Sequence, residues 1–206
     1  MAFVLPIIVR DMETPLPKIL SKDCIVSSKF VELGSIAWQD AHGNTRHWDC
    51  ASRTGGHGHA VMIIARLMPE RSLVLVRQFR PPAGKFCLEF PAGLVEPGED
   101  LTSAALRELS EETGYTGKVV DTIPFGFSSA GLTDETIAGV VVEIDSEHYR
   151  DCPPQAHPEA SEDIEVLLVP ETTLRHFLQE RLADGDGTDA KLLVYAYALS
   201  YLNQKS

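Results

Sequence analysis

The chain has 206 residues, 44% hydrophobic and 23% charged, which suits one core plus a small accessory layer and excludes disordered, collagenous and membrane-spanning classes. Its 18 basic and 30 acidic residues give a net charge of −12, which excludes a diffuse basic surface for nucleic acid. A phosphorylated small molecule still fits, because local arginines and bound cations can reverse the field in one cleft.

Cys24, Cys50, Cys87 and Cys152 are far apart, with no CxxC pair, and read as reduced thiols of a cytoplasmic or nuclear protein. No apolar run approaches the ~20 residues of a membrane span. In chain order, alternation predicts a strand over Ile25–Leu33. A hairpin follows from Ile36–Gln39 and Thr45–Cys50 around the turn-rich Asp40-Ala41-His42-Gly43-Asn44. Gly55, Gly56 and Gly58 mark a join, so we divide the chain into an N-terminal β region, 1–55, and a larger domain, 56–206. In the larger domain His59–Leu67, Leu73–Phe79 and Phe86–Phe90 read as strands, and Leu101–Thr113 reads as a helix. Val119–Phe127, Thr136–Ile144 and Ile164–Val169 read as strands, then Thr172–Leu182 and Asp189–Leu202 as helices. Strands and helices mix without strict alternation, which predicts an α/β fold with helices packed on a mixed sheet.

The stretch Gly93 to Tyr115 carries the chemistry. Gly93, Pro97 and Gly98 shape a loop, and Asp100 or Thr102 can cap the helix that follows. Gly114 falls where a left-handed cap ends a helix. Glu108, Glu111 and Glu112 are three and four residues apart, so they share one helix face, while Leu106 and Leu109 turn toward the sheet. Three carboxylates on one face repel unless something cationic sits among them. Arg107, four residues before Glu111, can pair with it. Hard divalent cations take oxygen ligands of this kind and leave positions for phosphate oxygens.

This stretch resembles the Nudix box at every specified position: Gly93, Glu99, Arg107-Glu108-Leu109, Glu111-Glu112, Gly114 and the apolar Tyr115. The resemblance implies the Nudix fold, an α/β/α sandwich, here with an added N-terminal antiparallel β region. It also implies Mg²⁺ or Mn²⁺ held by Glu108, Glu112 and the backbone carbonyl of Ala92, with Glu111 and Glu99 in support.

Upstream, Gln78-Phe79-Arg80 and Glu89-Phe90-Pro91-Ala92-Gly93 resemble the ADP-sugar pyrophosphatase branch, the ADP-ribose hydrolases. That resemblance implies hydrolysis of the diphosphate bond of ADP-ribose and other ADP-sugars to AMP and a sugar phosphate. It implies a homodimer formed by the N-terminal β region, each adenosine site being completed by the partner subunit, with adenine stacked between aromatic rings. Phe30 and Trp48 occupy the corresponding places, near Asp49 and Arg53. Arg80 offers a planar fork to the diphosphate. The Gly131-Leu132 turn is kept, although Ala130 stands where the branch often has Pro. A carboxylate between the last two strands would serve as base, with Glu162 aligning best and Glu159 next. The competing readings are oxidised nucleoside diphosphates or other nucleotide sugars as substrates, and a nucleotide sensor that does not cleave. A sensor commonly lacks one of the acidic box residues, and this chain has them all.

Overall fold

The computed structural model describes residues 15–56, 58–158 and 163–203. It divides into two units, residues 1–58 with 127–135 and residues 59–126 with 136–206.

In the first unit β1 (Lys18–Ser27), β2 (Val31–Gln39) and β3 (Thr45–Arg53) form an antiparallel meander. The strand expected over Ile25–Leu33 is therefore two strands. Its break is chemical: the Ser28 N–H donates to Val31 O at 2.9 Å and the Ser28 hydroxyl donates to the same oxygen at 2.7 Å. Serine hydroxyls compete for backbone groups in this way and favour turns. The predicted turn between β2 and β3 is present, with one Asp40 carboxylate oxygen accepting the N–H groups of His42 and Asn44, each at 2.9 Å. The Asn44 backbone donor is the main reason that the Asp40 carboxyl falls to about 2. Residues 127–135 belong to this unit. They hold β3 through Ala51 N–H to Leu132 O at 2.9 Å, and Lys22 reaches Asp134 at 2.7 Å.

The second unit is built on a mixed sheet. Its order is β11 (Gly187–Thr188), β6 (Lys85–Glu89), β5 (Ser72–Arg80), β4 (His59–Met68), β9 (Thr136–Asp145) and β8 (Lys118–Phe127). The seven-residue β10 (Ile164–Pro170) pairs with β5, and β7 (Ala92–Leu94) pairs with β4. Helix α1 (Leu101–Thr113) covers one face, burying Ala104, Ala105 and Leu109 against Val61, Ile63, Val74, Val140 and Val142. Helices α2 (Leu174–Ala183) and α3 (Ala190–Asn203) cover the other, where Leu174, Leu178, Leu192 and Ala196 meet Ile64, Leu73, Leu75 and Leu88. This unit is the expected α/β/α sandwich. Two short strands, β7 and β11, were not legible as periodic segments. β7 matters for the site, because its ladder of Ala60–Met62 to Leu94–Ala92 fixes the backbone of Ala92 and Gly93 on the sheet.

Candidate active site

Helix α1 begins at Asp100, the one of the two candidate caps that the chain uses. Its carboxylate accepts the N–H groups of Thr102 at 3.0 Å and Ser103 at 3.1 Å. The Ser103 and Thr102 hydroxyls also donate to it, and together these bonds hold its carboxyl well below the usual range. The helix ends at Gly114, with φ 73° and its N–H bonded to Ser110 O at 2.8 Å. Gly114 has a second reason to be glycine. A Cβ there would collide with the backbone of Gln155, and two residues on the His157 N–H reaches Glu111 O at 2.8 Å. The chain leading toward β10 is thus laid across the end of α1. The expected base, Glu162, and its alternative Glu159 lie outside the described residues.

Arg107 gathers the acidic face. Its guanidinium bonds Glu99 at 3.0 and 2.9 Å, Glu108 at 2.8 Å, Glu111 at 3.0 Å and the Leu94 carbonyl at 3.0 Å. The pairing with Glu111 follows from the helix repeat, whereas the reach to Glu99 and Leu94 depends on how the loop folds back. Hydrogen bonding to Glu99 is the largest cause raising the Arg107 pKa, and the same bonds lower that of Glu99. A fully charged guanidinium therefore offsets the mutual repulsion of three carboxylates.

Glu108 and Glu112 converge on the backbone of β7. The Glu112 side chain is buried, at 4% exposure, and accepts the Ala92 N–H at 3.2 Å. The Glu108 carboxylate lies directly over Gly93, where a Cβ would occupy its place. Glu111 stays on the outer side of the helix. Among the described residues no three His, Cys, Asp or Glu side chains converge as a metal cluster. The donors present still suit a hard cation: carboxylate oxygens from two adjoining helix turns beside a strand backbone that supplies the Ala92 carbonyl. Arg80, at the end of β5, meets Glu89 in a bidentate pair at 2.9 and 2.8 Å.

The first unit holds the other predicted residues. Trp48 is 53% exposed and its indole N–H donates to the Gly131 carbonyl at 3.0 Å, so the structure brings Trp48 together with the Gly131-Leu132 turn. Trp48 lies inside β3, whose ladder with β2 continues to Arg53. Leu132 is 61% exposed, and Asp49 is also exposed. Arg53 is taken by Glu135 at 2.9 Å. Phe30 is 65% exposed but is not brought to Trp48. Its neighbour Val31 pairs with Arg53 while Trp48 pairs with Ile36. Five rungs at ~3.3 Å separate Val31 from the Ile36–Trp48 rung by roughly 16 Å along the strands, and Phe30 lies one residue farther still. One chain cannot close both on the same base.

The family model for the NUDIX domain matches residues 56–185. The chain belongs to the Nudix family. An ADP-sugar pyrophosphatase of Mus musculus is 37% identical to this Nudix chain over 194 residues, covering 91% of it and 89% of the mouse protein. An ADP-ribose pyrophosphatase of Saccharomyces cerevisiae is 37% identical over 156 residues, 72% of this chain and 66% of the yeast protein. The crystal structure of an ADP compounds hydrolase superposes with a TM-score of 0.67, covering 95% of this chain and 99% of that one at 20% identity. It shares the Nudix fold. Nudix hydrolases generally need divalent metal ions, in keeping with the donors around Ala92 and Gly93.

Sequence reasoning missed three contributors to this Nudix site: Glu89, the Leu94 carbonyl, and the Gln155–His157 contact with the end of α1. Glu89 stood in a recognised run, but its facing is legible only once the β5–β6 register is known.

Proposed function

We propose that this Nudix hydrolase cleaves the diphosphate bond of ADP-ribose and other ADP-sugars, releasing AMP and a sugar phosphate. The observation that carries the chemistry is the convergence of Glu108 and Glu112 on the Ala92–Gly93 backbone. The substrate class follows the mouse and yeast relatives, whose names record ADP-sugar and ADP-ribose pyrophosphatase.

Glu108, Glu112 and the Ala92 carbonyl would hold Mg²⁺ or Mn²⁺. When bound, such an ion neutralises charge on the diphosphate oxygens and polarises phosphorus. Arg107 restrains Glu99, Glu108 and Glu111 so that their carboxylates stay on one side of the helix. Arg80 presents its charge to the diphosphate. Glu162, with Glu159 as the alternative, accepts the proton of the attacking water.

Trp48, backed by Gly131 and Leu132, stacks on adenine, with Asp49 and Arg53 close by. Because Phe30 and Trp48 of one chain stand so far apart, the second ring comes from a second copy, and residues 1–55 are the dimerisation element. All ten residues of β1 are exposed, with Ile19 66%, Ile25 59% and Val26 59% accessible. Large apolar side chains exposed on an edge strand mark an interaction surface. We assign the enzyme to the cytoplasm, with the nucleus as the alternative, from the reading of its four cysteines as reduced thiols. Among the described residues no helix is long and apolar enough to cross a membrane.

The test is incubation with ADP-ribose and Mg²⁺, following AMP, and repetition in ¹⁸O water to locate the attacked phosphorus. Glu112→Gln should lower turnover by about 10²-fold or more, since it withdraws charge that stabilises the transition state. Turnover within a few-fold of the parent enzyme would remove the metal assignment. Tight ADP-ribose binding without AMP release would replace the enzyme by a sensor.

A further inference from the structure

The pair formed by Arg80 and Glu89 is not explained by holding the sheet together, since β5 and β6 already share five rungs from Val76–Glu89 to Arg80–Lys85. Its facing is informative. Val74 lies in the core beneath α1, whereas Leu73 and Leu75 lie beneath α2 and α3. Successive strand residues alternate in facing, so Val76, Gln78 and Arg80 share the α1 side. Gln78 pairs with Cys87 and Val76 with Glu89, which puts Glu89 on that side too. The Arg80 side chain therefore runs back along the ladder, on the face of the sheet that carries the box helix, to reach a carboxylate four rungs away.

A guanidinium has five N–H donors in a rigid fork. Glu89 takes the inner edge, Nε and one Nη2 proton. Among the described residues the outer edge, formed by Nη1 and the other Nη2 proton, makes no hydrogen bond. Glu89 itself is 15% exposed, while Arg80 is 42% exposed. The anchor is thus the more buried partner and the guanidinium the more open one. Hydrogen bonding to Glu89 is the largest cause raising the Arg80 pKa, and the charge of Glu112 adds to it, so the guanidinium is charged and within electrostatic reach of the buried box carboxylate. An arginine left unheld on such a surface would sample many rotamers, and ordering it on binding costs side-chain entropy.

We propose that Glu89 is a positioning residue for the reaction. It fixes the Arg80 fork by its inner edge and leaves the outer edge aimed for a diphosphate oxygen. Glu89 does not touch the substrate. The proposal rests on the reading of Arg80 as the diphosphate contact.

A four-cornered cycle on the full chain tests it, with steady-state AMP release from ADP-ribose at saturating Mg²⁺ and a thermal melt of each variant. Arg80→Ala should raise KM at least about tenfold through loss of a charge-assisted contact. Glu89→Ala should raise KM about fivefold, with kcat within twofold, because ordering the freed guanidinium then costs binding. Glu89→Gln keeps the shape and one acceptor oxygen and should fall between the parent enzyme and Glu89→Ala; it decides the matter if Glu89→Ala does not fold. The double variant should be no worse than Arg80→Ala alone, since Glu89 acts only through Arg80. A double variant whose KM multiplies the two single effects would overturn the proposal. So would Glu89 variants that lower kcat tenfold at unchanged KM, or an Arg80→Ala effect on KM with none from either Glu89 variant. If Arg80→Ala leaves KM unchanged, the reading of Arg80 falls and this proposal falls with it.

Discussion

Replacing Gly93 by alanine separates the chemistry of the site from the stability of the fold. Gly93 does not use a left-handed backbone, since its φ is not among the positive values, so alanine can adopt its conformation without strain. What alanine adds is one methyl group, and that methyl would coincide with the carboxylate of Glu108. To recover an ordinary contact of roughly 3.5 Å the carboxylate must retreat by at least about 1 Å. It can do so, because it is the far end of a flexible side chain, at the cost of its bond from Arg107. A misplacement of this size in a reacting constellation costs on the order of 10²-fold in rate, equivalent to about 2.7 kcal/mol of barrier. The fold should notice little. Loss of the Glu108–Arg107 bond is set against about 0.4–1 kcal/mol gained from a less flexible unfolded chain, so Tm should move by no more than about 3 °C. Gly98→Ala is the complementary case. Gly98 has φ 84° and nothing within 4 Å of an added Cβ, so alanine there costs about 1–2 kcal/mol of backbone strain and leaves kcat within twofold. The assay is AMP release from ADP-ribose beside a thermal melt of each protein. A Gly93→Ala enzyme with kcat within threefold of the parent would show that Glu108 need not lie over that backbone. A drop in Tm beyond 10 °C would show that Gly93 serves the fold instead.

Trp48→Leu should raise KM for ADP-ribose about tenfold with kcat within threefold, since aromatic–base stacking is worth about 1–3 kcal/mol; unchanged KM would separate Trp48 from the adenosine site. Glu171 has a side chain 4% exposed and bonds Arg66 at 2.5 Å, Arg71 at 2.6 Å and Tyr195 at 2.9 Å. Glu171→Gln should therefore cost about 3–5 kcal/mol, lowering Tm by roughly 10 °C, while ADP-ribose turnover at 25 °C persists. The same residue predicts a pH dependence. Burial pushes its carboxyl up, but Arg66, Arg71 and Tyr195 outweigh burial, and it lies below its ordinary 4.5. A carboxyl depressed on folding adds stability that is fully present above its unfolded value and is lost as pH falls through the lower folded value. The Tm gap between the parent protein and Glu171→Gln should accordingly be widest near neutral pH and narrow as pH falls below 4.5; a gap that stays constant would disprove the linkage.

What the sequence determined by itself are the features with local causes. The helix over residues 101–113, its Gly114 end and the pairing of Arg107 with Glu111 follow from a 3.6-residue repeat and from side chains acting within one turn of their own backbone, which also narrowed the cap to Asp100 or Thr102, of which the folded chain uses Asp100. The β3 hairpin turn follows from Asp40 in the same way. Where a local cause was present but misread, at Ser28, one hydroxyl ended the strand expected through Ile25–Leu33.

The tertiary structure decided what depends on partners far along the chain. Glu112 shares a helix face with Glu108 and Glu111, yet only packing on β7 makes it a buried carboxylate bonded to Ala92, twenty residues away. Gly131 accepts the Trp48 indole across 83 positions, and the β2–β3 register holds Phe30 away from Trp48 within one chain. Arg80 and Glu89 meet because two strands pair in one register, and a shift of one residue would turn them to opposite faces. Helical spacing says which face a group occupies. Only the pairing of strands and the packing of layers say what that face meets.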